Sequence, residues 1–131
     1  MIALGEQLIC RGIESAVAEW YPGPVRYIHE LRPGSVVRDD VVPFVLNRQN
    51  QPTFVTINES DFWCRLAITR AFGVVCVGLS DPRATEVQNL RRALFRRSGF
   101  RTKAQRMGKV VRISVGGIMY YSADDPLVRA G

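Results

Sequence analysis

The sequence that decides the fold is Pro52-Thr53-Phe54-Val55-Thr56-Ile57-Asn58-Glu59-Ser60-Asp61-Phe62-Trp63. Thr53 to Ile57 is a short β-branched and aromatic run, which predicts a buried strand. Polar residues follow at once, from Asn58 to Asp61, and a helical pattern begins at Phe62. A strand that delivers acidic side chains into the loop at its carboxyl end is typical of the ligand crevice in open α/β sheets.

Strand and helix patterns alternate around this stretch. Strands are predicted at residues 1–4, Val25–Leu31, Thr53–Ile57 and Val74–Leu79, and helices at Glu6–Tyr21, from Asp39 or Asp40 to Asn50, at Glu59–Phe72 and at Asp81–Ser98. Val74–Leu79 is continuously apolar, as expected of a parallel strand that is covered on both faces. Lys109–Val115 and Ile118–Ser122 predict a hairpin around two glycines. The order predicts an α/β sandwich with a mostly parallel sheet and an antiparallel C-terminal hairpin.

The composition is that of one globular domain, with 131 residues, 47% of them hydrophobic and 23% charged. We expect a single domain with its core at about residues 1–122 and a short tail at 123–131. Glu6 interrupts the apolar start and argues against a signal peptide, and the apolar runs are too short to span a membrane. Three widely spaced cysteines lie in apolar patterns: Cys10, Cys64 and Cys76. Their odd number and spacing favour buried free thiols in a reducing compartment, and we therefore expect a cytoplasmic protein.

Charge is divided unevenly along the chain. Residues 1–82 carry seven basic and nine acidic side chains, whereas residues 83–112 carry ten basic side chains and only Glu86. The second block alone has a net charge of +9, against +6 for the whole chain. Such a block favours binding to a negatively charged partner, either a nucleic acid or an acidic protein, over a helix face that is simply exposed to solvent.

Acidic side chains follow the carboxyl ends of several predicted strands: Glu6, Asp39, Asp40, Glu59 and Asp61. In a parallel sheet these ends meet at one edge, so residues distant in sequence can gather there. Crowded carboxylates raise one another's pKa unless a cation offsets their repulsion. Mg²⁺ or Mn²⁺ would do so, because both prefer oxygen ligands, and either could activate water for attack on a phosphodiester. Basic side chains of the following helix and loop would then hold the phosphate backbone beside that water.

These acidic positions also have a purely structural interpretation. Asn58 and Asp61 stand at the N-cap and N3 positions of the predicted third helix, as in a capping box. Asp39 or Asp40 is likewise a good N-cap for the second helix. His29 is more typical of a structural role, because no serine or cysteine is seen to pair with it. The residues alone leave both interpretations of the carboxylates open.

The run from Val55 to Trp63 resembles the T-x-D-x-D-F turn of PIN-like nucleases, and the closest branch is the compact family found as toxins in VapBC-type toxin–antitoxin pairs. Ile2–Leu8 resembles the first strand of that family, Leu31–Asp40 resembles the segment before its second acidic position, and Val74 with its Asp-Pro-Arg follow-on also fits. The resemblance covers about residues 1–122. It implies a three-layer α/β/α sandwich and a metal-dependent endoribonuclease that hydrolyses RNA and is silenced by a small antitoxin protein.

The resemblance also implies a set of site residues. The catalytic set would be Asp40, Asp61, Asn58, Glu59 and Glu6, of which Asp40, Asp61 and Glu6 would ligate Mg²⁺ or Mn²⁺. Two positions depart from the motif, because Gly5 stands where the first-strand aspartate belongs and Asn58 replaces the first acid of the turn. An amide can ligate a cation but brings no negative charge. The alternative is therefore a catalytically degenerate module that binds RNA or an acidic protein.

Basic residues of the fourth helix and the loop after it are the expected RNA-phosphate contacts: Arg91, Arg92, Arg96, Arg97, Arg101 and Lys103. They would hold RNA without reading its sequence. Arginines suit an acidic antitoxin peptide equally well, so antitoxin binding at this helix, with RNA elsewhere, stays open. A homodimer is a further expectation, with the exposed edge of the hairpin as one route.

Overall fold

The structure is a computed structural model and describes residues 1–5, 13–19, 21–32, 34, 37–38, 40–56, 62–64, 66, 68–77, 94–97, 99–114 and 117–130. Its strands are β1 (Ile2–Leu4), β2 (Val25–Tyr27), β3 (Thr53–Thr56), β4 (Gly73–Val77), β5 (Lys109–Ser114), β6 (Gly117–Ser122) and β7 (Arg129–Ala130). Its helices are α1 (Ile13–Ala18), α2 (Val42–Asn47) and α3 (Lys103–Arg106), and a 3₁₀ turn covers Ile28–Leu31.

All the strands described belong to one sheet, in the order β2-β1-β3-β4-β5-β6-β7. The five strands from β2 to β5 are parallel, whereas β6 pairs antiparallel with both β5 and β7. The predicted mostly parallel α/β sheet with an antiparallel C-terminal hairpin is confirmed. The segment expected to be a tail ends in β7, whose Arg129 is in register with Tyr120 of β6.

Helices cover both faces of the sheet. Every residue of β1, β3 and β4 is buried, as parallel strands require when both faces are packed. On one face Val17 of α1 belongs to the same apolar cluster as Val55, and on the other face Leu46 of α2 belongs with Phe54. Adjacent residues of β3 thus point into different cores, because side chains alternate along a strand.

Several predicted elements are shorter than the sequence pattern suggests. The predicted strand Val25–Leu31 ends at Tyr27 and continues as the 3₁₀ turn, and the second helix covers only Val42–Asn47. Pro43 lies in the first turn of α2, where its missing N–H needs no partner. The first part of the predicted first helix, and most of the helix predicted at Asp81–Ser98, lie outside the described residues.

The third predicted helix, Glu59–Phe72, is wrong over its described part. Only Phe62 is helical there, and Cys64 has a φ of +58°, which takes the chain out of helical geometry. Contacts with β6 hold this segment in a different conformation. The centres of the Trp63 and Tyr121 rings lie 5.4 Å apart, and the Tyr121 hydroxyl donates to the Leu66 carbonyl at 2.9 Å. Gly73, which directly follows this predicted helix in the sequence, is the first residue of β4.

The cysteines only partly follow the prediction of buried thiols. Cys76 is a buried free thiol in β4, but Cys64 is a free thiol that is exposed. Cys64 has a positive φ, so it does not continue the helical geometry on which its predicted burial depended. Cys10 lies outside the described residues. No helix in the described part of the chain is long and apolar enough to cross a membrane.

Tyr121 makes the stability of the fold sensitive to alkaline pH. Burial raises its pKa from the usual 10.0 to about 12, and its side chain is 7% exposed. The neutral phenol is therefore favoured in the folded state, and the unfolded chain loses this proton first as the pH rises. Its contribution to the free energy of unfolding is fully present below a pH of about 10 and falls by roughly 2–3 kcal/mol as the pH reaches about 12.

We expect Tyr121→Phe to remove this part of the alkaline loss of stability. Urea unfolding between pH 9 and pH 12, followed by circular dichroism, measures it, and Tyr120→Phe serves as the matched control on the same strand. Equal pH slopes in the wild type and in Tyr121→Phe would contradict the expectation.

Candidate functional site

The carboxyl ends of β1 and β3 meet at one edge of the sheet. The two strands are parallel neighbours, and the Gly5 amide donates to the Val55 carbonyl at 2.8 Å just beyond β1. The chain goes from β1 outward to β2 on one side, and from β3 outward to β4 on the other. This reversal makes β1 and β3 a topological switch point, which is where doubly wound sheets bind their ligands.

Of the predicted catalytic residues, Asp40 alone lies within the described part of the chain. Its side chain is exposed, and it does not cap α2, because the N-cap residue is Val41 and no side chain caps the helix. The turn before α2 is closed instead by the backbone, since the Val41 and Val42 amides donate to the Arg38 carbonyl at 2.9 and 3.2 Å. The capping role considered for Asp40 is therefore not realised.

The other four predicted catalytic residues lie outside the described residues: Glu6, Asn58, Glu59 and Asp61. Their neighbours in the sequence are nevertheless informative. Glu6 follows Gly5 directly, and Asn58 stands two residues after Thr56, the last residue of β3. In chain order, these residues thus follow the two strand ends that form the switch point.

The donor set can be compared with what a metal would need. Among the residues described, no three His, Cys, Asp or Glu side chains come together as metal ligands do. Glu6, Asp40 and Asp61 supply only carboxylate oxygens, which are the donors that Mg²⁺ and Mn²⁺ prefer. The exposed carboxylate of Asp40, which is not used as a cap, fits such a cation.

Glu30 also lies at this edge, although the sequence pattern does not predict it as a site residue. It belongs to the 3₁₀ turn that directly follows β2, the neighbour of β1. Its Oε1 atom accepts a hydrogen bond from the Tyr27 amide at 3.1 Å, so the carboxylate stabilises the start of the turn. The sequence pattern predicts a strand over Val25–Leu31, so it does not predict a turn that places Glu30 at the end of β2.

A cavity lined by basic side chains lies at the opposite edge of the sheet. It has a volume of about 330 Å³ and is lined by Tyr21, Pro22, Phe95, Arg96, Arg101, Lys103 and Arg106. The Tyr21 hydroxyl accepts from the Met1 nitrogen at 3.1 Å, and Arg106 Nε donates to Thr53 Oγ1 at 3.0 Å. Because Met1 precedes β1 and Thr53 begins β3, this basic cavity lies at the amino ends of the parallel strands.

Arg106 is the buried residue of the basic cavity, with 4% of its surface exposed. Its Nη1 atom donates to the carbonyls of Phe100 and Arg101, both at 3.0 Å, and its guanidinium lies 4.3 Å from the centre of the Phe95 ring. Burial lowers the pKa of this guanidinium, and interactions with Tyr21 oppose the shift. No carboxylate among the described residues forms an ion pair with Arg106.

The sequence contains a helix-capping pattern at the start of α3, the helix that carries Arg106. Thr102 Oγ1 accepts from the Gln105 amide and Gln105 Oε1 accepts from the Thr102 amide, both at 3.1 Å, which is a capping box. A side chain at Gly73 would clash with the Arg106 carbonyl oxygen, so the close approach of α3 to β4 requires glycine there. The pattern Thr-x-x-Gln could have predicted α3, but nothing in it predicts that Arg106 is buried.

The basic cavity does not lie at the strand ends that the predicted acidic residues follow in the sequence. Arg96, Arg101 and Lys103 line the basic cavity at the amino edge, whereas β1 and β3 deliver their carboxyl ends to the other edge. A four-residue strand such as β3 spans about 13 Å, so these cations do not lie beside the switch point. Arg97 is exposed but does not line the cavity, and Arg91 and Arg92 lie outside the described residues.

No protein-family model, no curated protein and no solved structure matches this chain. The functional interpretation therefore rests on the residues of the chain and on their arrangement.

Proposed function

We propose that this protein is a PIN-like, metal-dependent endoribonuclease that hydrolyses RNA phosphodiesters at the carboxyl edge of β1 and β3. The observation that supports the proposal most is the switch point, at which the Gly5 amide contacts the Val55 carbonyl at 2.8 Å. Glu6 and the turn Asn58–Asp61 follow these strand ends directly in the sequence. The three-layer PIN-like architecture is part of the same proposal.

Each residue of the proposed site has a separate role. Asp40 and Asp61 are the principal ligands of Mg²⁺ or Mn²⁺, and Glu6 and Glu59 are secondary ones. A divalent ion held by these residues would act as a Lewis acid and would make a water molecule more acidic. Asn58 orients water through its amide, which can both donate and accept a hydrogen bond. The basic cavity and its exposed arginines hold RNA phosphates away from the acidic edge, without reading bases.

A second candidate is a catalytically degenerate module that binds RNA or an acidic protein. Gly5 favours it, because the residue is buried at the end of β1 and has no carboxylate to offer. The basic cavity favours it too, since binding of an anion there needs no metal. This candidate predicts RNA binding that weakens with salt and does not respond to chelation.

We also propose that the protein is a cytoplasmic toxin whose antitoxin occupies the groove between the 3₁₀ turn and α2. The groove has a volume of about 370 Å³, and Phe44, which lines it, is 70% exposed. Arg32 and Arg48 also line it, so an acidic peptide with an apolar anchor suits it. Leu127, 67% exposed just before β7, offers an apolar contact for a homodimer.

Cleavage of end-labelled RNA tests the nuclease proposal. We expect cleavage with Mn²⁺ or Mg²⁺ and its loss when the chelator EDTA is present, because the carboxylates need a cation to act. Cleavage that survives EDTA would contradict the metal-dependent mechanism. Salt-sensitive RNA binding without cleavage under either metal would favour the degenerate module instead.

A further inference from the structure

We infer that the basic cavity at the amino edge is a binding site for a nucleoside phosphate, separate from the proposed metal site. Four of its seven lining residues are cationic, and no acidic residue of the described chain lines it. The inference extends the role of Arg96, Arg101 and Lys103 from general contact with RNA to one defined pocket. It does not depend on hydrolysis.

The buried Arg106 is the strongest reason to expect an anion. Among the described residues, its hydrogen-bond partners are the hydroxyls of Thr53 and Tyr21 and two backbone carbonyls, which are uncharged groups. A buried guanidinium without an anionic partner is costly, because the desolvation of its charge is not offset by a nearby negative charge. A phosphate in the cavity would supply that charge.

The cations around Arg106 are already held in place. Arg101 Nε donates to the Arg96 carbonyl at 3.0 Å, and Lys103 begins the capped helix α3. Lys103 and Arg106 line the same cavity, and their positive charges, after burial, lower the pKa of the Met1 amino group. A site with prearranged donors loses little conformational entropy when it binds a phosphate.

The rest of the lining argues for more than an inorganic ion. Tyr21, Pro22 and Phe95 give the cavity an apolar wall, and the rings of Tyr21 and Phe95 lie 6.2 Å apart in an edge-to-face arrangement. A volume of about 330 Å³ falls within the range of small-molecule sites, roughly 300–1,000 Å³. Arginines beside an aromatic wall suit a phosphate attached to a base and a sugar, whose flat ring can rest on aromatic side chains.

Isothermal titration of the full chain tests the inference, without divalent metal, using adenosine monophosphate, adenosine and inorganic phosphate as probes. We expect the monophosphate to bind at least 10-fold more tightly than either adenosine or phosphate. The double variant Arg101→Gln/Lys103→Gln should weaken its binding by about 10-fold or more, because it removes two exposed cations and little packing. Arg106→Met, which replaces the buried charge by an apolar chain, should weaken it too. Arg26→Gln, which removes an exposed cation of β2 that does not line the cavity, is the matched control and should not change it.

Competition with a short RNA identifies the source of the phosphate. If RNA with a 5′-phosphate displaces the monophosphate and RNA without one does not, the site takes the end of an RNA chain. If neither RNA competes, the site takes a free nucleotide, and both results support the inference. Equal affinity for adenosine and its monophosphate, or equal loss in the double variant and in Arg26→Gln, would overturn it. Because no metal is present, failure here leaves the nuclease proposal standing, and a failed cleavage assay leaves this site standing.

Discussion

Asp61→Asn is expected to lower the rate of RNA cleavage by about 100-fold or more, because a metal ligand contributes several kcal/mol and each 1.4 kcal/mol is about tenfold in rate. The substitution keeps the shape of the side chain but removes its negative charge, so the metal is held less tightly. Asparagine also preserves most local hydrogen bonding of a turn, and we therefore expect the free energy of unfolding to change by less than about 1 kcal/mol.

Asp124→Asn is the matched control for this substitution. Asp124 is an exposed carboxylate that forms an ion pair with Arg70. It lies at the amino edge of the sheet, because the amide of the preceding Ala123 donates to the Gly108 carbonyl there. Exposed pairs of this kind contribute little to stability. Cleavage should therefore be unchanged in Asp124→Asn, and undiminished cleavage in Asp61→Asn would contradict the assignment of Asp61.

Phe54→Ala is expected to lower the free energy of unfolding by about 3–5 kcal/mol, the usual loss for a large buried aromatic side chain. Phe54 lies in β3, is 2% exposed, and its ring contacts the ring of Phe62 edge to face at 5.5 Å. Removal of the ring leaves a cavity between β3 and Phe62. These residues come before and after the predicted acidic turn in the sequence. Urea unfolding followed by circular dichroism gives the measurement.

Phe44→Ala provides the comparison, because it makes the same chemical change at a side chain that is 70% exposed. We expect its effect to stay within about 0.5 kcal/mol, as for most surface substitutions. Similar losses in the two variants would mean that β3 is not the buried centre of this fold.

The parts of the fold that could be predicted are those in which local pattern and tertiary packing agree. The apolar run that begins at Val74 is typical of a strand covered on both faces, as β4 is, and the glycines before Ile118 indicate a hairpin. The third helix failed because the aromatic contact of Trp63 with Tyr121 joins residues far apart in sequence, and helical periodicity cannot reveal such a contact. Local propensity was overridden by packing there.

The candidate site was predictable in its residue types but not in its layout. Acidic residues after strand ends can be recognised from chain order alone, because parallel strands share a carboxyl edge. The basic block reads as one feature in the sequence, yet its described members Arg96, Arg101 and Lys103 lie at the amino edge. The charge pattern does not predict at which edge of the sheet the basic block lies. It also does not predict that Arg106 is buried.

The central claim is that carboxylates at the carboxyl edge of β1 and β3 hold a divalent metal. Isothermal titration of the full chain with Mn²⁺, in the wild type, Asp61→Asn and Asp124→Asn, tests it most directly. We predict saturable binding in the wild type and in Asp124→Asn, and its loss in Asp61→Asn. Absence of binding in the wild type, or equal binding in all three proteins, would contradict the claim.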